Sequence, residues 1–114
     1  MNKKNKEIIL KGIVASPGIA KGKAKVLLSP ADTAKMQEGN ILVAPLTNPQ
    51  LITAILQASA IVTEIGGPLS HAAIVARELG IPCIVGVKNA TKILKDNMEI
   101  IVNGNEGIIF QENS

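Results

Sequence analysis

Residues 66–82 read GGPLSHAAIVARELGIP, and this stretch holds the only histidine of the 114-residue chain, His71. The paired glycines permit a tight turn and close approach to a ligand, and Ser70 is a favourable N-cap residue. A helix is predicted over residues 71–79, because Gly80 then stands where helices commonly end. The stretch therefore predicts a glycine turn that leads directly into a helix, with the histidine in the first helical turn.

The first turn of this helix is a candidate anion site. Its backbone N–H groups have no partner within the helix, and the helix dipole adds positive potential. Neutral imidazole is a competent nucleophile, so His71 is a candidate to attack and carry a phosphoryl group. The predicted catalytic residues are His71 and Ser70, and the predicted phosphate-binding residues are Gly66, Gly67, Ser70 and Ala72. Ser70 has two compatible roles, cap and phosphoryl contact, and Gly67 either permits the turn or allows phosphate to approach.

Strands and helices alternate around this stretch. Apolar strands are predicted at residues 41–45, 60–65 and 81–87, with helices at 50–58 and 71–79 between them. This order implies right-handed crossovers and a parallel inner sheet. Flanking strands are predicted at 7–14, 23–28, 98–102 and 107–110, the first two paired with each other, and short helices at 31–37 and 89–95. The sequence thus predicts an α/β fold, a compact β/β/α sandwich with a mainly parallel central sheet and flanking antiparallel strands and helices.

Apolar spacing predicts which faces are buried. The strand–helix–strand unit should bury six residues, Ile61, Val62, Ile74, Val75, Ile84 and Val85. The preceding helix, with Asn48 as its cap and Pro49 at its first position, should turn a stripe of four residues inward, Leu51, Ile52, Ile55 and Leu56. Arg77 lies six positions after His71, about 240° around the helix, so it is predicted to point away from the site. A surface salt bridge or a docked partner suits it better.

Composition excludes several classes of function. The net charge is +3, and Lys3, Lys4 and Lys6 account for much of the excess. No stacking aromatic residues accompany these lysines, so nucleic acid is not a predicted partner. One His and one Cys are too few for a zinc site. The glycines lack the Gly-Lys-Ser/Thr ending of a P-loop, and no nucleophile elbow precedes Ser70, which argues against a hydrolase. No metal or cofactor is therefore expected in the chain itself.

Length and hydropathy indicate how the chain is divided and whether it crosses a membrane. We predict a lysine-rich tail, residues 1–6, followed by one domain, residues 7–114. No apolar run reaches the roughly 18 residues that a membrane-spanning helix needs, so no membrane association and a cytoplasmic location are expected. Cys83 lies in an apolar run and is interpreted as a small buried core residue.

The motif GGPLSHAAIVARELGIPCIVGV, residues 66–87, resembles the phosphohistidine signature of the phosphoenolpyruvate-utilising enzymes. That family includes phosphoenolpyruvate synthase, pyruvate phosphate dikinase, the first enzyme of the sugar phosphotransferase system and rifampin phosphotransferase. The resemblance extends to residues 15–22, 41–45 and 103–107, and so covers nearly the whole chain. Leu69 departs from the threonine that many members carry, although leucine is familiar in the rifampin-type branch. The substrate is therefore left open.

The resemblance implies the swivelling, mobile phosphohistidine domain, with His71 as phosphoryl carrier in a phosphotransferase. It also implies partner domains, an ATP-grasp nucleotide-binding domain and a phosphoenolpyruvate/pyruvate-binding barrel, fused or on separate chains, with Mg²⁺ used there. The chain alone is then a component of a kinase-type enzyme and not a complete catalyst. The alternative is a non-catalytic regulatory or binding module that retains the fold. The donor, the final acceptor and the oligomeric state stay open.

Overall fold

The computed structural model describes residues 5–113. Its strands are β1 (Asn5–Lys11), β2 (Ile13–Ser16), β3 (Ile19–Val26), β4 (Ile41–Ala44), β5 (Ala60–Thr63), β6 (Cys83–Val85), β7 (Glu99–Asn103) and β8 (Ile108–Asn113). Its α-helices are α1 (Ile52–Gln57), α2 (His71–Leu79) and α3 (Ala90–Ile93), with 3-10 helices at Pro30–Lys35 and Pro49–Leu51. The predicted tail lies outside the described residues except for its last two positions, which begin β1. Within residues 5–113 no helix has the length and hydropathy to cross a membrane.

All eight strands belong to one sheet, in the order β1-β8-β7-β3-β4-β5-β6-β2. The inner strands β3, β4, β5 and β6 run parallel, as the predicted crossovers require. The strands β1, β8, β7 and β3 pair antiparallel, and β2 pairs antiparallel with β6. The α/β class and the mainly parallel centre with antiparallel flanks are therefore confirmed.

The predicted pairing of the first two strands is wrong. The stretch predicted as one strand forms β1 and β2, which join β8 and β6 at opposite ends of the strand order. Both hydrogen-bonding edges of β3 are taken, by β4 on one side and β7 on the other. No edge of β3 is left for β1, so the two segments cannot form a hairpin.

Gly12 lies between β1 and β2, where the chain changes from one partner strand to the other. Its amide donates to the Gly107 carbonyl at 2.9 Å. A Cβ at Gly12 would lie 2.6 Å from Val87 Cγ2, 2.7 Å from Ile84 Cγ2 and 2.7 Å from the Val85 carbonyl oxygen. The close approach therefore needs a residue without a side chain. We call this crossing the seam, defined by Gly12, Ile84, Val87 and Gly107.

The parallel strands are apolar on both faces. On one face, Leu42, Ile61 and Val85 pack with the helices α1 and α2. On the other, Val43, Val62 and Ile84 pack with the antiparallel strands β7 and β8 and with α3. Near-continuous apolar strands are expected where a parallel sheet is covered on both sides. The predicted layers, antiparallel strands over parallel strands over helices, follow from these two clusters.

Burial follows the sequence prediction on the strands and departs from it on α2. Ile61, Val62, Ile84 and Val85 are fully buried, but Val75 is only half-buried. Ile74 is 43% exposed, so its predicted burial is wrong. The helix turns three alanines to the sheet instead, Ala72, Ala73 and Ala76. Ile74 lies about 200° around the helix from Ala72, which places it on the outer face.

The helix that begins after Asn48 is confirmed, with a correction to its buried face. The Asn48 Oδ1 atom accepts a hydrogen bond from the Gln50 amide at 2.9 Å, as an N-cap does. Leu51 and Ile55 are buried as predicted, whereas Ile52 is 44% exposed and Leu56 is 60% exposed. These two lie about 100° further around the helix than Leu51 and Ile55, so the predicted stripe is too wide. Two alanines, Ala54 and Ala58, complete the buried face.

Candidate functional site

The residues predicted as a site lie between β5 and the start of α2. The loop of residues 64–70, called the site loop below, leaves β5 at the carboxyl edge of the parallel strands. Its first residues continue the ladder, because the Glu64 amide donates to the Ala44 carbonyl at 3.2 Å and the Ile65 amide to the Pro45 carbonyl at 2.9 Å. Ligands bind at this edge in open α/β sheets. Two parallel strands therefore present their ends to His71.

The helix α2 begins at His71 and ends at Gly80, as predicted. Ser70 has the extended backbone of an N-cap, and its carbonyl accepts the first helical hydrogen bond, from the Ile74 amide at 3.0 Å. Ser70 is therefore the N-cap, as predicted, although its side chain makes no capping hydrogen bond. The amides of His71, Ala72 and Ala73, in the first turn, have no acceptor within the helix. They are the donors that an anion at this end of the helix would meet.

The Ser70 hydroxyl is buried without a hydrogen-bond partner, and among residues 5–113 it is the one buried side-chain polar atom in that state. Leaving such a group unsatisfied costs about 1–3 kcal/mol. Gly66 explains how the serine fits, since a Cβ on Gly66 would lie 3.0 Å from Ser70 Oγ. The φ of Gly66 is +144°, a conformation that other residues rarely adopt. Gly66 is therefore required by the loop itself.

Thr47 positions the imidazole. Its Oγ1 atom lies 2.9 Å from Nδ1 of His71, and the threonine is 5% exposed. His71 itself is half-buried. A hydrogen bond at one ring nitrogen fixes the tautomer and the ring orientation and leaves the other nitrogen for chemistry. The geometry thus places Nδ1 against Thr47 Oγ1, which leaves Nε2 as the ring nitrogen not engaged by this contact.

Sequence reasoning missed Thr47. The available signal was its place just after β4, the parallel neighbour of β5. Residues that follow adjacent parallel strands meet at the same edge of the sheet. A hydroxyl there was a candidate partner for the histidine.

Arg77 has a role that differs from the predicted one. Its guanidinium donates to the Ala15 carbonyl at 2.8 Å and to the Pro68 carbonyl at 2.7 Å. Within residues 5–113 it makes no hydrogen bond to the imidazole and no ion pair. Because Pro68 is in the site loop and Ala15 is in β2, the guanidinium ties the loop to the body of the domain. Its five fixed donors suit such a bridge.

Glu64 holds the other end of the site loop. Its Oε2 atom accepts hydrogen bonds from the Thr91 amide at 2.8 Å and the Thr91 hydroxyl at 2.6 Å. These hydrogen bonds, first the one from the side chain, hold the pKa of Glu64 below its ordinary value. Thr91 lies in α3, so this contact joins the end of β5 to a neighbouring helix.

The tip of the site loop, residues 65–69, carries two exposed apolar side chains. Leu69 is 85% exposed and Ile65 is 64% exposed. Between them Gly67 is half-buried, and its carbonyl accepts from the Ser70 amide at 3.0 Å. Ala72, the last of the predicted phosphate-binding residues, is 3% exposed and packs in the core, so its side chain is not available to a ligand.

Cys83 takes no part in this site. It is fully buried in β6, and burial raises the pKa of its thiol to about 12. The thiolate is the nucleophilic form, so a thiol of this kind is inert. The interpretation of Cys83 as a small core residue is confirmed.

Comparison with known proteins defines the class. The sequence pattern of the family described as "PEP-utilising enzyme, mobile domain" matches residues 28–107. Phosphoenolpyruvate synthase from Pyrococcus furiosus is 51% identical over 105 residues, which cover 92% of this chain and 13% of that protein. Rifampicin phosphotransferase from Bacillus cereus is 43% identical over 98 residues, which cover 86% of this chain and 11% of that protein.

A solved structure agrees with these relatives. The NMR solution structure of Enzyme I (nEIt) matches with a TM-score of 0.58 at 33% identity, over 68% of this chain and 32% of that one. The chain belongs to the family of mobile domains of the PEP-utilising enzymes. It spans 11–16% of the length of the curated relatives it matches.

Proposed function

We propose that His71 carries a phosphoryl group on Nε2, from a donor site on one partner domain to an acceptor site on another. The contact between Thr47 Oγ1 and His71 Nδ1, at 2.9 Å, is the observation that carries the proposal. In the proposed tautomer Nδ1 carries the proton and donates a hydrogen bond to the threonine oxygen, so that Nε2 has a lone pair. A ring held in this way is an activated nucleophile.

The transfer conserves atoms and electrons. The Nε2 lone pair forms an N–P bond while the bond from phosphorus to the donor's leaving oxygen breaks, and that electron pair departs with the oxygen. The imidazole keeps its proton on Nδ1, and the Thr47 oxygen accepts a hydrogen bond from that N–H group. On delivery an oxygen of the acceptor attacks phosphorus, and the electrons of the N–P bond return to Nε2.

The start of α2 supports a bound phosphoryl group. The free amides of the first turn and the positive end of the helix dipole favour an anion there. The buried Ser70 hydroxyl is a further donor without a protein acceptor. A phosphoryl oxygen that accepts from Ser70 would satisfy it. Ser70, Gly66 and the Ala72 amide thus act together in the proposed site.

The proposed partners are an ATP-grasp nucleotide-binding domain and a phosphoenolpyruvate/pyruvate-binding barrel, with Mg²⁺ bound by those domains. The relatives named phosphoenolpyruvate synthase and rifampicin phosphotransferase are several times longer than this chain, which leaves room for such domains. The alternative, a regulatory or binding module without phosphotransfer, is less well supported, because His71 is half-buried and not sealed in the core.

The test uses two phosphoryl donors. Phosphoramidate, a small donor that needs no docking, is applied to the chain itself. The second donor is Pyrococcus furiosus phosphoenolpyruvate synthase in which this chain replaces the matching 105 residues, supplied with ATP and Mg²⁺. Intact mass should show one added phosphoryl group, which mild acid removes. His71→Ala should abolish the gain while circular dichroism shows a folded domain. Labelling that persists in the folded His71→Ala protein contradicts the proposal, and an unlabelled wild-type chain favours the regulatory module.

Thr47 gives a finer test. Thr47→Val should lower the rate of phosphorylation about tenfold or more, because a lost hydrogen bond to a group that becomes charged is worth about 1.5–3 kcal/mol. Thr47→Ser should restore most of that rate. Thr53→Val makes the same change at an exposed position of α1 and serves as the control. Equal phosphorylation rates in Thr47→Val and Thr53→Val would show that the contact between Thr47 and Nδ1 does not contribute to the reaction.

A further inference from the structure

Gly67 differs from every other glycine of the chain. Six of the ten glycines have a positive φ that favours glycine, Gly18, Gly39, Gly66, Gly80, Gly86 and Gly107. Three more have no room for a Cβ, which would lie within 2.7 Å of another atom, Gly12, Gly22 and Gly104. Gly67 meets neither condition, because its φ is outside the left-handed region and an added Cβ would contact nothing within 4 Å. The domain itself gives no reason for a glycine at this position.

A glycine that the fold does not require lowers the stability of the folded domain. Replacing glycine by alanine at a compatible position stabilises a protein by about 0.4–1 kcal/mol, because the unfolded chain loses freedom. The open space beside Gly67 lies on the exposed tip of the site loop, four residues before His71 in the sequence. The structure therefore leaves the space beside Gly67 open to a molecule that approaches the tip.

We propose that the space beside Gly67 is filled by the partner domain that delivers the phosphoryl group, so that Gly67 provides the clearance for docking. The inference rests on the proposed function. Reacting atoms must come to about 3–3.5 Å from each other, so a donor site that reaches Nε2 of His71 must also cover the neighbouring loop. The surroundings favour a protein surface over a phosphoryl dianion, since the flanking side chains of Ile65 and Leu69 are apolar and 64% and 85% exposed.

The two adjacent glycines make a matched pair for the experiment. Gly66→Ala should lower thermal stability, because of its φ of +144° and its contact with Ser70. Gly67→Ala should leave the melting temperature unchanged or raise it slightly. In the Pyrococcus furiosus graft supplied with ATP and Mg²⁺, Gly67→Ala should slow single-turnover phosphorylation of His71 at least tenfold. Gly67→Val should slow it further. With phosphoramidate as donor, which needs no partner domain, both Gly67 variants should lose far less of their rate than they lose in the graft.

Each of the other outcomes would contradict a different part of the proposal. Equal rates for wild type and Gly67→Ala in the graft would show that no partner atom uses the space. A loss that is equally large with phosphoramidate would place the phosphoryl group there instead of the partner. A Gly67→Ala protein that melts well below wild type would reveal an internal requirement for glycine. A wild-type chain that neither donor labels counts against the carrier function, which is a separate failure.

Discussion

The seam and the site loop are built in opposite ways. At the seam, Gly12 packs so closely on Ile84 and Val87 that a single added carbon has no room. The site loop is instead fixed by side chains near its ends, with Glu64 bound to Thr91 and the Pro68 carbonyl bound to a guanidinium. Its tip touches little of the domain. The close packing at the seam leaves no room for a larger residue at Gly12. The site loop is fixed near its ends by hydrogen bonds, and the side chains at its tip are exposed.

This contrast predicts that stability and phosphoryl transfer can be separated by mutation. Changes at the seam should unfold the protein and affect transfer only through unfolding. Changes in the site loop should alter transfer with small effects on stability.

Ile84→Ala should destabilise the domain by about 2–5 kcal/mol, because it removes a fully buried side chain and leaves a cavity. Urea denaturation measures the change. Ile93→Ala, at a residue 42% exposed on α3, is the control and should cost far less. A loss below about 0.5 kcal/mol for Ile84→Ala, the scale of surface substitutions, would contradict its place in the core.

Gly12→Ala should cost about 1–3 kcal/mol or more, since overpacking forces side chains and backbone to move. Here the neighbour within 2.7 Å includes a backbone oxygen, that of Val85, which cannot rotate away. Differential scanning calorimetry should show a lower melting temperature, while phosphoramidate labelling of the remaining folded protein stays normal. A normal melting temperature would show that β1 and β2 do not cross the sheet as closely as described.

The two regions also differ in how far the sequence reveals them. The unit of residues 41–87 is correctly predicted as alternating strands and helices, because apolar runs, caps and glycine stops all agree there. The seam is not, because Gly12 interrupts an otherwise strand-like pattern and pairing with β8 or β6 depends on distant segments. A local pattern cannot show that both edges of β3 are already occupied.

The site divides in the same way. His71, Ser70 and the glycines form one continuous motif, so the sequence predicts them together and places them at a helix start. Thr47 and Arg77 contribute through tertiary contacts across 24 and 62 residues of sequence, to His71 and to Ala15. No local spacing rule signals contacts of that kind, and the only sequence signal for Thr47 is its place after a strand parallel to β5. The outer position of Ile74 was missed for a related reason, since alanines are weak signals of a buried face.

Arg77→Met should slow His71 phosphorylation about tenfold and cost about 1 kcal/mol of stability, because two hydrogen bonds are lost and each is worth about 0.5–1.5 kcal/mol. The rate should fall more than unfolding explains, since the bond to Pro68 holds the site loop beside α2. Arg77→Lys should recover only part of the rate, because lysine lacks the planar fork. Lys88→Met removes an exposed cation elsewhere and is the control. A rate that tracks the folded fraction alone would reduce Arg77 to a structural role.

Glu64 gives the smallest expected effect, and its sign is set by the lowered pKa. The folded state holds the carboxylate through Thr91, so it binds fewer protons than the unfolded state. The contribution of Glu64 to stability is therefore complete above its ordinary pKa of 4.5. It is lost as the pH falls through the lower pKa of the folded state. Glu64→Gln should be less stable than wild type by about 0.5 kcal/mol at neutral pH, an amount reduced by solvent screening.

The two proteins should converge as the pH falls below the lowered pKa of Glu64 in the folded state, where the wild-type carboxyl is protonated as well. Urea midpoints across this range measure the difference, and Thr91→Val should show a weaker pH dependence than wild type because it removes the hydroxyl donor. A gap that stays constant across the range would show that the carboxylate charge adds nothing to the tether. Because the contact lies at the base of the site loop and not at its tip, the phosphoramidate rate should change less than in Arg77→Met. An equal loss of rate would mean that the contacts at both ends of the site loop orient His71. Only the exposed tip would then distinguish the loop from the seam.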